Sequence, residues 1–119
     1  MNARKTNPSF LNGVPEMLLL HLLDARPMYG YELVQAIRAA TGDRLEFGEG
    51  CVYPILHRLE AQGLLASRRQ SAAGRSRVVY RMTRQGRQQL ARTVVDWQRV
   101  VAAVSECLQG GERVRPSLA

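Results

Sequence analysis

Tyr53, His57 and Arg58 lie close together in the segment Gly50-Cys-Val-Tyr-Pro-Ile-Leu-His-Arg-Leu-Glu-Ala-Gln-Gly-Leu-Leu65. A phenol, an imidazole and a guanidinium can all donate hydrogen bonds to phosphate oxygens and to base edges. Arg75 and Arg77 follow in a short polar stretch, and every basic residue except Lys5 is Arg. The planar fork of Arg suits phosphate and guanine better than a Lys ammonium does. An Arg that reaches guanine O6 and N7 discriminates by about 1–3 kcal/mol. Catalytic chemistry finds no comparable support. Cys51 and His57 project to different sides of a helix, and no Cys-x-x-Cys pair, metal-ligand cluster or glycine-rich phosphate loop occurs. The residues point to a binding protein without a cofactor, not to an enzyme.

Charge supports the same chemistry. The 119-residue chain carries a net charge of +7. Between Glu60 and Asp96 it has no acidic residue, yet Arg68, Arg69, Arg75, Arg77, Arg81, Arg84, Arg87 and Arg92 all fall there. Such clustering is the electrostatic footprint of a phosphate-facing surface, and a merely solvated charged face is the alternative. Two cysteines form no disulfide framework. No signal peptide opens the chain, and the apolar run Met17–Leu23 is too short to span a membrane. A single-domain, reduced, cytoplasmic protein that does not enter the membrane is expected.

The elements that must position these side chains follow from periodicity. At about 100° per residue, Val52, Ile55, Leu56 and Leu59 share one arc, while Tyr53, Pro54, His57, Arg58 and Ala61 occupy the other. Pro54 belongs near a first turn, so this helix should begin at about Cys51, and Gly63 should end it. Two helices precede it. One starts near Val14-Pro15-Glu16 and is apolar on more than one side through Leu23; the other runs from Glu32 to about Ala40, with Met28-Tyr-Gly-Tyr31 as a turn before it. Ala66–Arg69 and Arg77–Met82 are extended in character, joined by a hairpin turn over 70–75. In the second strand Val78, Tyr80 and Met82 share one face, with Arg77, Val79 and Arg81 on the other. Thr83 is a good N-cap for a last, long helix. Its residues Leu90, Val94, Trp97, Val101, Val104 and Leu108 recur at alternating intervals of four and three, a heptad seam suited to a second copy of the chain.

The fold class expected is therefore mainly α with a small β-hairpin: a winged helix-turn-helix over 11–82, followed by a dimerisation helix over 83–109. A flexible basic arm over 1–10 and a loose tail over 110–119 flank them.

Met28-Tyr-Gly-Tyr-Glu-Leu33, Gly50-Cys-Val-Tyr-Pro-Ile-Leu-His-Arg-Leu-Glu60 with Gly63-Leu64, and Val79-Tyr-Arg-Met-Thr-Arg-Gln-Gly-Arg87 together resemble the PadR family of bacterial transcriptional regulators. The resemblance spans roughly residues 12–108, and the single C-terminal helix, without a long C-terminal domain after it, is similar to that of the smaller subfamily. It implies a homodimer that represses genes by binding a pseudo-palindromic operator in double-stranded DNA, with the third helix in the major groove and the wing along the backbone. By position, Tyr53 matches the family's recognition-helix tyrosine, and Arg75 and Arg77 its basic wing tip. Trp97 stands where multidrug-binding members stack flat effectors at the dimer interface, which implies a small aromatic or hydrophobic effector. Cys51 stands where many members carry Ser or Thr.

Each assignment has a plainer rival. Tyr53 could be a core aromatic, His57 an idle surface residue, and Arg58 the partner of a nearby acid. Trp97 could be interface core alone, and Cys51 small filler and not a redox sensor. A winged-helix adaptor that binds proteins without reading DNA is the alternative function.

Overall fold

The computed structural model describes residues 12–110. Helix α1 (Val14–Ala25) leads into strand β1 (Met28–Tyr29) and helix α2 (Gly30–Ala40). Helix α3 (Glu49–Ala61), strands β2 (Leu65–Ala72) and β3 (Arg75–Met82), and helix α4 (Arg84–Gln109) follow. The strands form one antiparallel sheet in the order β1-β3-β2. The arm expected over 1–10 lies outside the described residues, as does the expected tail beyond Gly110, which caps α4.

Met28-Tyr-Gly-Tyr31, expected as a turn, instead contains strand β1. Met28 pairs with Tyr80 and Tyr29 with Val79, so the hairpin gains a third strand. A strand of two residues between Pro27 and Gly30 is too short to display alternation. Its signature is long-range: Met28 is buried beside Tyr80 on the inner face, where strand alternation also puts Val78 and Met82.

The wing is longer and tighter than the sequence suggested. Its turn consists of Ala73 and Gly74 alone, both at positive φ (53° and 75°), the handedness that two-residue hairpin loops require. Gly accepts this at no steric cost; Ala73 does not.

Helix α3 begins two residues before the expected Cys51. Gly48, in extended conformation, serves as N-cap, and its carbonyl accepts from the Cys51 and Val52 N–H groups. Pro54 thus sits inside the helix, and the hydrogen bond it cannot donate leaves the carbonyl of Gly50, an exposed residue, to solvent. At the other end Gly63 adopts φ 80° and the Leu64 N–H closes back on the Leu59 carbonyl at 2.9 Å, a helix-terminating glycine motif.

Leu19 and Leu20 of α1, Leu33 and Ile37 of α2, and Val52, Leu56 and Leu59 of α3 are almost wholly buried, with Leu65, Tyr80 and Met82 closing the core from the sheet. The start of α4 is clamped to this core. The Thr83 hydroxyl accepts from Gly86 N–H at 3.0 Å and lies 2.7 and 3.0 Å from the Gly63 and Leu64 carbonyls, one of which takes its proton. Gly86 lies so close to the Leu64 carbonyl and the Met82 sulfur that any side chain there would collide with both. This junction joins the end of α3 to the beginning of α4.

Candidate nucleic-acid interface

Burial of Val52, Leu56 and Leu59 aims the other side of α3 at solvent. That front consists of Gly50, Pro54, His57, Arg58 and Ala61. His57 is exposed, as expected. Arg58 is committed elsewhere: its Nη2 donates to Glu16 Oε1 of α1 at 3.0 Å, so the acid-pairing alternative holds in this structure.

Tyr53 lies between the two readings given for it. It is half-buried against the core, and its ring covers Gly30 so closely that a Cβ at Gly30 would overlap it. Its other edge faces His57, with ring centroids 6.4 Å apart and planes tilted by 45°. Burial, with smaller contributions from Glu49 and Tyr29, raises the phenol pKa, so the hydroxyl stays protonated and can both donate and accept.

The sheet sorts the arginines. Directly paired residues share a face, and pairing sets Arg75, Arg77 and Arg81 on the outer face with Arg68 and Tyr29. Arg69 takes the opposite face, where its Nη1 donates to Ser76 Oγ at 3.2 Å. Arg87 leaves the wing altogether and pairs with Asp24 of α1 at 3.0 Å. The acid-free arginine run is therefore not one patch, because strand alternation divides it and α4 carries part of it away.

Arg75 is exposed at the tip. Arg77 is half-buried, its guanidinium carbon 4.3 Å from the centre of the Tyr29 ring. Tyr29 and Gly30 did not emerge from the sequence as site residues. The neighbouring motif Met28-Tyr-Gly-Tyr31 was the available signal, but reading it as a turn hid its outward-facing ring.

Helix α4 divides its seam between two environments. Leu90 is buried and Val94 half-buried against the core, so Leu90 is a residue of its own domain and not of an exposed dimer face. Trp97 (42% exposed), Val101 (40%), Val104 (52%) and Leu108 (77%) continue the stripe in the open. Beside Trp97 an apolar groove of about 260 Å³ runs between α4 and the start of α1, lined by Val14, Met17, Thr93 and Val100 among others.

The sequence model described as "Transcriptional regulator PadR-like family" matches residues 19–92. This chain belongs to the PadR-like family of transcriptional regulators. A transcriptional regulator of Mycobacterium tuberculosis is 38% identical over 78 residues, covering 66% of this chain and 70% of the relative. A PadR family transcriptional regulator from Eggerthella lenta superposes with a TM-score of 0.74 at 33% identity, covering 83% of this chain and 85% of that one. A transcriptional regulator from Clostridium thermocellum, 24% identical, shares the fold with a TM-score of 0.78 over 83% of this chain and 97% of its own.

The resemblance read from the three motifs is thus established, together with the winged-helix fold and a role in transcriptional regulation through DNA. The family match ends at Arg92. Trp97 and the open half of the stripe lie beyond it, so their roles rest on geometry. No helix among the described residues is long and apolar enough to cross a membrane.

Proposed function

We propose that this PadR-like regulator is a cytoplasmic homodimeric repressor that binds a pseudo-palindromic operator and releases it on binding a small, flat, hydrophobic effector. The observation that carries the reading is the open half of the α4 stripe. An apolar stripe of this length, solvent-exposed on a small domain, is the mark of an interface. A second copy of the same stripe is its simplest complement, since a two-fold axis makes the patch complementary to itself. Reading successive major grooves requires this pairing to hold the two α3 helices about 34–36 Å apart.

Within each half-site, Tyr53 and His57 are assigned to the groove, and Arg75 and Arg77 to phosphates flanking it. Arg58 joins them only if its bond to Glu16 yields. The groove beside Trp97 supports the effector assignment: it is apolar, and an indole at its edge offers a stacking surface. A ligand that favours another α4 pairing angle would change the spacing of the recognition helices.

A gel-shift titration against the chain's own upstream DNA tests the core of the proposal, with a sharp mobility change expected at low salt. No binding at low salt would overturn it. Quenching of Trp97 fluorescence by planar aromatic compounds tests the effector assignment, and a broad panel without quenching would remove it.

A further inference from the structure

The geometry points to Tyr29 as a positioning residue of the wing: its ring seats the Arg77 guanidinium in the orientation that meets the DNA backbone. The inference rests on the DNA-binding reading above and adds to it a residue outside the recognition helix and the wing hairpin.

Register explains why the two side chains meet. Tyr29 lies opposite Val79, and Arg77 is two residues before Val79 on the same outer face, so Tyr29 and Arg77 are diagonal neighbours across β1 and β3. A guanidinium 4.3 Å from a ring centroid is in the range of cation–π attraction. Arg77 is correspondingly half-buried, whereas Arg68, Arg75 and Arg81 on the same face are exposed.

Tyr29 is itself held from several sides. Its backbone pairs in β1, and its N–H donates to Glu32 Oε1 at 3.1 Å. The next residue, Gly30, has no side chain and lies under the Tyr53 ring. Glu32 lines the same hollow as Arg77, but its other oxygen takes Arg26 Nη1 at 3.2 Å. Arg77 makes no ion pair among the described residues, so its charge is held in place but not neutralised by a carboxylate. A long flexible side chain held in this way forfeits less conformational freedom when it meets a phosphate. Tyr29 thereby links the wing to the floor beneath Tyr53, and the two DNA-facing elements share one support.

The test is a double-mutant cycle read by DNA titration at several salt concentrations, using wild type, Tyr29→Phe, Tyr29→Val, Arg77→Ala and Tyr29→Val with Arg77→Ala. Tyr29→Phe should keep wild-type affinity and salt slope, because the ring and not the hydroxyl does the seating. Tyr29→Val, which suits a strand, should weaken binding about tenfold across the two wings of a dimer and flatten the slope, as should Arg77→Ala. In the Arg77→Ala background, Tyr29→Val should change nothing further.

Equal loss from Tyr29→Val in both backgrounds would overturn the seat, as would loss from Tyr29→Phe matching that from Tyr29→Val. Absence of binding by the wild type would instead sink the DNA reading and the seat with it. If Tyr29→Val does not fold, proton NMR of the free wild-type and Tyr29→Phe proteins decides: Arg77 side-chain signals should carry a ring-current shift in both. Unshifted signals would refute the contact.

Discussion

Val101→Glu tests the proposed pairing along α4 most directly. Val101 is 40% exposed at the centre of the open stripe, where a two-fold axis would bring its counterpart close. Full burial of a valine is worth about 1.5–3 kcal/mol, so covering the exposed part contributes roughly 1 kcal/mol per protomer. The substitution removes that gain twice. It also brings two carboxylates into an apolar seam with no basic partner on the stripe, adding about 1 kcal/mol or more for each. A loss of about 4 kcal/mol per dimer corresponds to nearly a thousandfold in the dissociation constant.

Sedimentation equilibrium over a range of concentrations reads this directly. The control is Val95→Glu. Val95 is more exposed than Val101, at 62%, but lies about 120° around the helix from the stripe. Circular dichroism should show both variants helical, with only Val101→Glu monomeric. A dimer constant shifted less than tenfold by Val101→Glu, or shifted equally by both variants, would refute pairing along this stripe.

Other outcomes follow from the same contacts. Leu90→Ala should cost about 2–5 kcal/mol of unfolding free energy in urea while leaving the dimer constant unchanged at native concentrations, because Leu90 is core and not seam. Gly30→Ala must displace the Tyr53 ring; a loss of about 1–3 kcal/mol in stability and weakened DNA binding are expected, and an unperturbed variant would contradict the close approach. Glu16→Gln breaks the partly exposed bond to Arg58 and should change thermal stability by under about 1 kcal/mol, while a larger change would show that the pair is better shielded than its exposure implies. Burial raises the pKa of both Tyr53 and Tyr80 above the ordinary 10.0. Their contribution to stability is therefore complete below pH 10 and is lost as pH rises through the folded-state values. Spectroscopic titration should show folded tyrosines ionising later than free tyrosine, with Tyr53→Phe removing part of the alkaline loss.

What could be read from the sequence was whatever repeats at a short period. The apolar back of α3, the alternation Val78-Tyr80-Met82 and the N-cap at Thr83 each depend on residues a few positions apart, and each is present in the structure. β1 depends on Met28 meeting Tyr80, a contact across 52 residues that no local pattern encodes. The bond from Arg58 to Glu16 was hidden for the same reason, since the helical period puts Arg58 on the outward arc without revealing that α1 offers a carboxylate there. Tyr53 shows a further limit. Its wheel position lies between buried and exposed arcs, and only the missing side chain at Gly30 decides how deeply the ring can settle.

The α4 stripe gives the sharpest case of what periodicity leaves undetermined. Leu90 and Val101 obey the same seam, and nothing in their spacing distinguishes them. The difference comes from where the rest of the domain ends. The Thr83 hydroxyl and the side-chain-free surface of Gly86 fix the root of α4 against the Gly63–Leu64 turn, and the first part of the helix packs along α1. Beyond the groove that Trp97 and Val100 line with Val14 and Met17, the stripe residues Val101, Val104 and Leu108 lie exposed while the helix continues to Gln109. One stripe therefore meets two environments: its first half anchors the helix to the rest of the domain, and its second half is exposed, the half proposed above to pair with a second copy. Because the same rigid helix carries both halves, a change in how the outer half pairs would be transmitted through the Thr83 junction to the end of α3. This places the proposed effector groove, which lies beside Trp97 where the two halves meet, at the point from which a small ligand could alter recognition-helix spacing without touching α3.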